Sequence, residues 1–339
     1  MRKNLAICTV IAVVLLIAAY AYFSSYAQTG KYQSQPVSNV IRVTYAQTGA
    51  GLPYFVAEDM GYFKQENLTV EAAGVSTLSS VTSSLLANKA DAGIPVSFSD
   101  IIVTEAKQPG QFRAFAVGAE THDTNATGIM VMPNSTYRSI ADLKGKRIGI
   151  GSGLNPLVVG RWKLGKYFNA SNVTFVTMSS SFALAGAMAS NQVDAIVISQ
   201  PAMASAVKKG LARDLPNSTD AAIMDPFVVN DYVLTSKFVA QNPRTAAKFV
   251  NAMDEAVAYI NTNPQGAMQI LAAHTNTTVE QLKSGDNKPP WRDTVLVNGT
   301  FKDSEVNTSA MAAMQALANK YFAANFINDT VNVSNIVYT

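Results

Sequence analysis

The sequence holds one cysteine, Cys8, and two histidines, His122 and His274. A lone thiol inside an apolar run leaves the rest of the chain without disulfides or thiolate chemistry. Two histidines without further cysteines exclude zinc centres built from those residues. Charge is sparse as well: 14% of residues are charged, and the formal net charge is +3. No dense basic patch interleaved with aromatics occurs, so nucleic acid is not an expected partner. There is no Gly-Lys-Ser/Thr phosphate loop. Gly149, Gly151 and Gly153 miss the dinucleotide spacing, because Leu154 stands where glycine is needed. No metal and no cofactor are expected.

What is present is a large apolar fraction, 48% of 339 residues, enough for a substantial core split between two lobes. Arg2 and Lys3 precede an apolar run from Leu5 to Phe23. The run is long for a signal-peptide core and just long enough to span a bilayer, while Ser25 and Ala27 would suit cleavage. Residues 1–27 are therefore read as a signal or membrane anchor and 28–39 as a polar linker. Either reading exports the remainder. Eleven sequons agree with an exported, glycosylated surface: Asn67, Asn125, Asn134, Asn169, Asn172, Asn217, Asn276, Asn298, Asn307, Asn328 and Asn332.

The organising stretch is IRVTYAQTGAGLPYFVAEDMGYF, Ile41 to Phe63. Ile41, Val43 and Tyr45 alternate as in a strand, Thr48 to Gly51 break the pattern, and Pro53 suits the first turn of a helix. A strand feeding a glycine loop and a helix leaves backbone N–H groups free for a ligand oxygen. KRIGIGSGLNP, from Lys146, repeats the arrangement about one hundred residues later, and LLANKADA is echoed by MASNQVDA. The two echoes predict two related α/β lobes with a ligand cleft between them. Lobe 1 is expected over 40–130, lobe 2 over 131–228, and the return to lobe 1 over 229–339. Ser97 to Asp100 reads as a strand end and loop, and the polar tail from Asn328 as β-like. Pro243 to Asn261, Pro264 to Ala273 and Ser309 to Phe322 read as helices.

The ordered set of IRVTYAQTGAGLPYFVAEDMGYFKQENLTVE, LLANKADAGIPVS, SIADLKGKRIGIGSG, MASNQVDAIVISQPA and the proline-bounded helices after DYVLTSKFVAQNP resembles a known family. These are the substrate-binding proteins of ABC importers for nitrate, sulfonate, taurine and thiamine-precursor pyrimidines. The resemblance implies a type II periplasmic-binding-protein fold, with two lobes joined by two crossing strands and closing on one small solute. It implies a membrane permease and its ATPase as the partners that take the solute; the chain is expected to be a monomer. Position by position, it assigns Thr48, Gly49 and Tyr54 to the first ligand loop, Ser76 and Thr77 to the second, and Ser97 and Phe98 to the third. Ser152, Gly153 and Asn155 match the facing loop of lobe 2, and Gln200 the loop after its last parallel strand. Asp225 and Asn230 lie beside the returning strand. Hinge motion is expected at Met130–Pro133 and Val228–Tyr232.

These loops offer hydroxyls and N–H groups rather than Arg or Lys, leaving open a small oxyanion or a neutral heterocycle stacked on Tyr54 or Phe98. Thr77 could equally be a helix cap. An enzyme resembling the thiamine-pyrimidine synthases of this fold would need a cysteine cluster, and no cysteine follows Cys8. His122-Asp123 reads as a loop pair rather than part of a triad. A membrane-tethered sensor of the same fold is the other alternative to transport.

Overall fold

The computed structural model describes residues 39–122, 127–178, 181–200, 202–282, 293–301 and 308–339. The apolar run 5–23, Asp123, Asn125, Asn307 and Pro201 lie outside them. Among the described residues no helix is long and apolar enough to cross a membrane.

The strands are β1 (Val40–Ala46), β2 (Thr69–Val75), β3 (Ala92–Ser97), β4 (Phe112–Glu120), β5 (Thr127–Val131), β6 (Arg147–Gly151), β7 (Thr174–Met178), β8 (Ala195–Ser199), β9 (Arg213–Asp214), β10 (Phe227–Thr235) and β11 (Asp293–Leu296). They form two main sheets, ordered β11-β4-β10-β3-β1-β2 and β7-β6-β8-β5-β9. In each, the first strand of the repeat (β1, β6) lies between two parallel neighbours. An antiparallel strand from elsewhere in the chain (β10, β5) then pairs with β3 or β8. The two sheets thus share a strand arrangement.

The helices are α1 (Leu52–Asp59), α2 (Leu78–Leu86), α3 (Phe98–Lys107), α4 (Leu154–Gly165), α5 (Ser181–Ala189), α6 (Ala202–Lys208), α7 (Pro243–Thr262), α8 (Pro264–His274) and α9 (Ala310–Ala323), with shorter turns between. On one face of the first sheet, Phe55, Phe249 and Leu271 of α1, α7 and α8 pack on Ile41 and Phe115. On the other, Val81, Ile101 and Leu317 of α2, α3 and α9 pack on Val117. The second sheet is covered by Leu184 and Met203 on one side and Leu164 on the other.

The echoed Asp-Ala pairs have a physical content. The backbone N–H and Nε of Arg42 each donate to Asp91 Oδ2 at 3.0 Å, and Nη2 donates to Oδ1 at 2.7 Å. Arg147 makes the same three bonds to Asp194, at 2.8, 3.1 and 3.1 Å. Each fork ties the start of the central strand to the start of its parallel neighbour. Asn88 and Asn191, with φ of 56° and 59°, close the preceding helix in the left-handed region that asparagine tolerates. The arginines are about half exposed, so each pair contributes only about 0–1 kcal/mol. Their main effect is to fix strand register.

The structure corrects three expectations. Ser97 is followed not by a loop but by α3, which buries Phe98, Ile101, Ile102 and Glu105 at helical spacing. Neither β5 nor β10 pairs in both sheets. Met130 and Val131 already belong to the second sheet, where Ile129 pairs with Val197, and Phe227 begins the return to the first. The links are 121–126 and 215–226; Pro216 and Pro226 in the second cannot donate to a ladder, and Asn217 turns left-handed with φ 56°. The tail is mostly irregular, and it completes the core. Val331, Val333 and Ile336 are buried, while Ala114 donates to Ile336 and accepts from Tyr338 at 2.6 and 2.7 Å.

Asp231 of β10 is fully buried between Val96 and Val117, and neither carboxylate oxygen has a hydrogen-bond partner. Burial pushes its carboxyl well above the usual carboxylate range. A native carboxyl that holds its proton more tightly than the unfolded chain costs stability as pH rises past the unfolded value, about 3.9. Urea denaturation between about pH 4 and pH 8 should therefore show a decline that Asp231→Asn lacks. Parallel curves for the two proteins would contradict this account.

Candidate functional site

Because β1, β2 and β3 run parallel, the loops after Ala46, Val75 and Ser97 emerge at one end of the first sheet. Those after Gly151, Met178 and Ser199 emerge together from the second. The two ends face each other. A Cβ placed on Gly153 would lie 3.0 Å from Ser79 Oγ, in the first turn of α2. This is the position at which open α/β sheets receive ligands. The lobes also touch through α4, whose Trp162 packs edge-on against Tyr321, Phe326 and Phe227 with centroids 4.8, 5.7 and 6.3 Å apart.

The sequence-predicted residues divide sharply. Thr48 and Gly49 are half-buried at the open end of β1, Ser76 is exposed at that of β2, and Ser152 and Gly153 are exposed on the facing loop. Asn155 is half-buried and borders a cavity. Tyr54 is not a ligand platform: it is 1% exposed and stacked on Tyr45 at 4.4 Å. The helix starts two residues earlier, at Leu52, and its phase turns Tyr54 inward. Phe98 is likewise buried by α3 and packs against Tyr321. Ser97 Oγ is buried 2.8 Å from Ser99 Oγ. Thr77 caps α2, its hydroxyl accepting from the Ser80 N–H at 3.2 Å. Gln200 accepts from the Ala204 N–H at 3.1 Å, at the start of α6. Asn230 is buried against Gly118 rather than in the cleft. Asp225 joins the two links, with His122 Nδ1 2.8 Å from its Oδ2.

The cavity measures about 80 Å³ and lies at the open end of the second sheet. Its polar lining is Thr127, Gly151, Asn155, Ser199 and Asp220, and its apolar lining includes Val159 and Val197. At about 15 Å³ of accessible volume per water, it has room for about five waters or one small head group. Beneath it lies a polar cluster unforeseen in the sequence. Lys163 Nζ is 2.7 Å from Asp220 Oδ1, with side-chain exposures of 1% and 2%. Thr127 Oγ1 donates to Glu120 Oε2 at 2.6 Å and accepts from Lys163 at 3.3 Å and the Asp220 N–H at 3.0 Å.

Lys163 was legible in principle, since it continues the buried stripe of Val159 and Gly160 on α4. Nothing in the stretch around Asp220 marks it. On α3, Asp100 accepts from Thr82 Oγ1 at 3.0 Å, and burial pushes its carboxyl up against the opposing bonds from Thr82 and Ser79. The Tyr321 hydroxyl is pushed up chiefly by burial and further by the fields of Asp100 and Asp220, which it therefore lies near.

The profile of the family described as "NMT1/THI5 like" matches residues 50–267. The chain is 25% identical over 227 residues to a 4-amino-5-hydroxymethyl-2-methylpyrimidine phosphate synthase of Candida albicans, covering 64% of this chain and 65% of that one. It is 26% identical over 193 residues to a Brucella abortus protein named as a binding protein, covering 54% and 58%. The matches thus span less than two thirds of either relative. Among solved structures, the alkanesulfonate-binding protein SsuA of Xanthomonas axonopodis pv. citri, bound to MOPS, superposes with a TM-score of 0.69 at 18% identity. That match covers 90% of this chain and 99% of the other, and it shows a shared fold.

Gly153 has φ 109° and ψ 171°, a region essentially reserved for glycine. Gly153→Ala should cost about 1–3 kcal/mol by backbone strain, with Ser79 displaced as well. Urea denaturation at wild-type stability would show that the facing loop is free to reshape.

Proposed function

The chain belongs to the NMT1/THI5-like family, and from that premise we propose that it is the extracytoplasmic solute-binding protein of an ABC importer. It captures one small solute between its lobes, in the type II binding-protein manner, and delivers it to a membrane permease. The observation that carries this reading is the apposition of the two open sheet ends, Ser79 against Gly153, beside a cavity bordered by Asn155. Thr48, Gly49, Ser76, Ser152 and Asn155 are the ligand-facing groups retained. The apolar N-terminal run serves as export signal or tether, and the protein acts as a monomer.

The similarity to a pyrimidine phosphate synthase supports a second reading, an enzyme on the same fold. Against it stands the absence of any cysteine after Cys8. We favour binding without chemistry.

Ligand should close the lobes about the links 121–126 and 215–226. A thermal-shift screen of taurine, alkanesulfonates, nitrate, bicarbonate and pyrimidines identifies the solute, since a ligand binding only the native state raises its melting temperature. Small-angle scattering with that solute at saturation should then show a smaller radius of gyration. An unchanged radius would count against a closing cleft.

Export also predicts glycosylation. Every sequon asparagine among the described residues is exposed: Asn67, Asn134, Asn169, Asn172, Asn217, Asn276, Asn298, Asn328 and Asn332. Intact mass spectrometry of protein from its native cells should find glycan mass on several of these sites, and a bare polypeptide mass would reject the modification.

A further inference from the structure

Charge is unevenly placed on this molecule. Arg2, Lys3 and Lys31 account for the whole formal charge of +3, so the chain from residue 39 onward is neutral overall. The end of the second sheet that points away from the cleft is nevertheless basic. Arg138, Lys144 and Lys146 stand on the segment between β5 and β6, Lys208 and Lys209 at the end of α6, and Arg213 at the start of β9. Among the described residues, none of the six has a carboxylate within ion-pair distance. The acids nearby are committed elsewhere. Asp194 is forked by Arg147, Asp142 accepts from the backbone N–H groups of Arg138 and Ser139 at 2.8 and 2.9 Å, and Asp214 Oδ1 turns back toward Gly128.

The basic rim is densest around one sequon. Pro133 and Asn134 are the central residues of a turn closed by the Ser135 N–H on the Met132 carbonyl at 3.0 Å, and Asn134 is exposed at its tip. Arg213 brackets that tip: Nε donates to the Pro133 carbonyl at 3.3 Å and Nη2 to the Ser135 carbonyl at 3.1 Å. Arg138 Nη1 donates to the same Ser135 carbonyl at 2.5 Å. The two guanidiniums therefore lie side by side, and each keeps N–H donors that bond nothing among the described residues. Lys146 Nζ stands over the Tyr137 ring, 5.3 Å from its centroid.

We propose that Asn134 carries an N-linked glycan with an acidic sugar, a uronic acid or a sulfated one, and that this sugar folds back onto Arg138, Arg213 and Lys146. This goes beyond solute capture and rests on the glycosylation expected of an exported chain. Three constraints agree on the occupant. Two like charges held together on a shared carbonyl repel, and an anion placed against both relieves that repulsion. A carboxylate or sulfate presents the paired oxygens that a guanidinium fork binds best. And a sugar bonded to the Asn134 side chain is already beside those donors, so even a weak contact is populated through its effective concentration. A bilayer or a protein partner fits less well. The Asn172 carbonyl accepts from the Gly145 N–H, between Lys144 and Lys146, at 2.7 Å, so a second sequon opens on the same rim and its glycan would hold a broad surface away.

The test is mass spectrometry of the full chain from its native cells, with lysine acetylation as a footprint. Glycopeptides should place a glycan containing a uronic acid or a sulfate ester on Asn134. Acetylation of Lys146 should be slower in the wild type than in Asn134→Gln by about threefold or more, as expected when the effective concentration of the sugar exceeds its dissociation constant a few times over. The difference should vanish in molar salt, which screens the contact. Lys64 and Lys89, exposed on the first lobe, should react alike in both proteins and report that the variant is folded. A neutral glycan on Asn134, or a bare Asn134 beside other modified sequons, overturns the proposal and leaves export and solute binding standing. So does equal labelling of the two proteins, or release of Lys146 by Asn172→Gln in place of Asn134→Gln. Protection that persists in Asn134→Gln within membranes and disappears on extraction into neutral detergent assigns the rim to anionic lipid, and overturns the proposal too. A bare polypeptide mass removes the modification itself and this proposal with it.

Discussion

A buried ammonium must find a carboxylate, and at the junction of the two sheets that requirement draws three segments to one point. Lys163 arrives on α4, Asp220 on the second link, and Thr127 at the first residue of β5. Breaking such a pair on one side costs about 3–5 kcal/mol, because the survivor stays buried and unpaired. The link therefore cannot swing freely at Asp220, although it is irregular in backbone. Lys166, which donates to the Ala222 carbonyl, adds a second tie from the same helix. Any opening of the lobes must bend the links on either side of these ties, near Pro216 and near the contact between His122 and Asp225.

The rest of the architecture is arranged around that junction. The paired forks of Arg42 with Asp91 and Arg147 with Asp194 hold the far ends of the strands. The near ends carry the glycine loops. α4 is shared: Leu164 packs under the second sheet, while Val158, Val159 and Trp162 join the core of the first. One helix thus opens at the facing loop, borders the cavity through Val159 and anchors the buried ion pair.

Much of this organisation could be read beforehand, and for identifiable reasons. The echo of glycine loops and Asp-Ala strands reports local geometry, which repeats wherever the same β-α-β unit is built. The helices opened by Pro243 and Pro264 carry their own start signals. What failed was the direction of side chains at element ends. Tyr54 and Phe98 read as cleft aromatics, but Tyr54 is the third residue of α1 and Phe98 the first of α3, where the helical phase turns each ring into the core. α3 lacks a start signal, because its first turn, Phe-Ser-Asp, looks like a loop once a strand has just ended. The polar floor was invisible for a different cause. Glu120, Thr127, Lys163 and Asp220 are separated by up to one hundred residues, and only the crossing of the chain between sheets assembles them.

That crossing sets an order of assembly. The second sheet uses only residues 127–214, a single uninterrupted stretch, so its contacts are comparatively local. The first sheet cannot close until β10 slides between β3 and β4, after the whole second lobe has been made. Long-range pairing of this kind is slow, because chain entropy is lost before the pairing rewards it. Folding of the intervening segment before β10 docks would shorten the effective loop between β4 and β10, and a lesion in it would then surface as delayed completion of its neighbour.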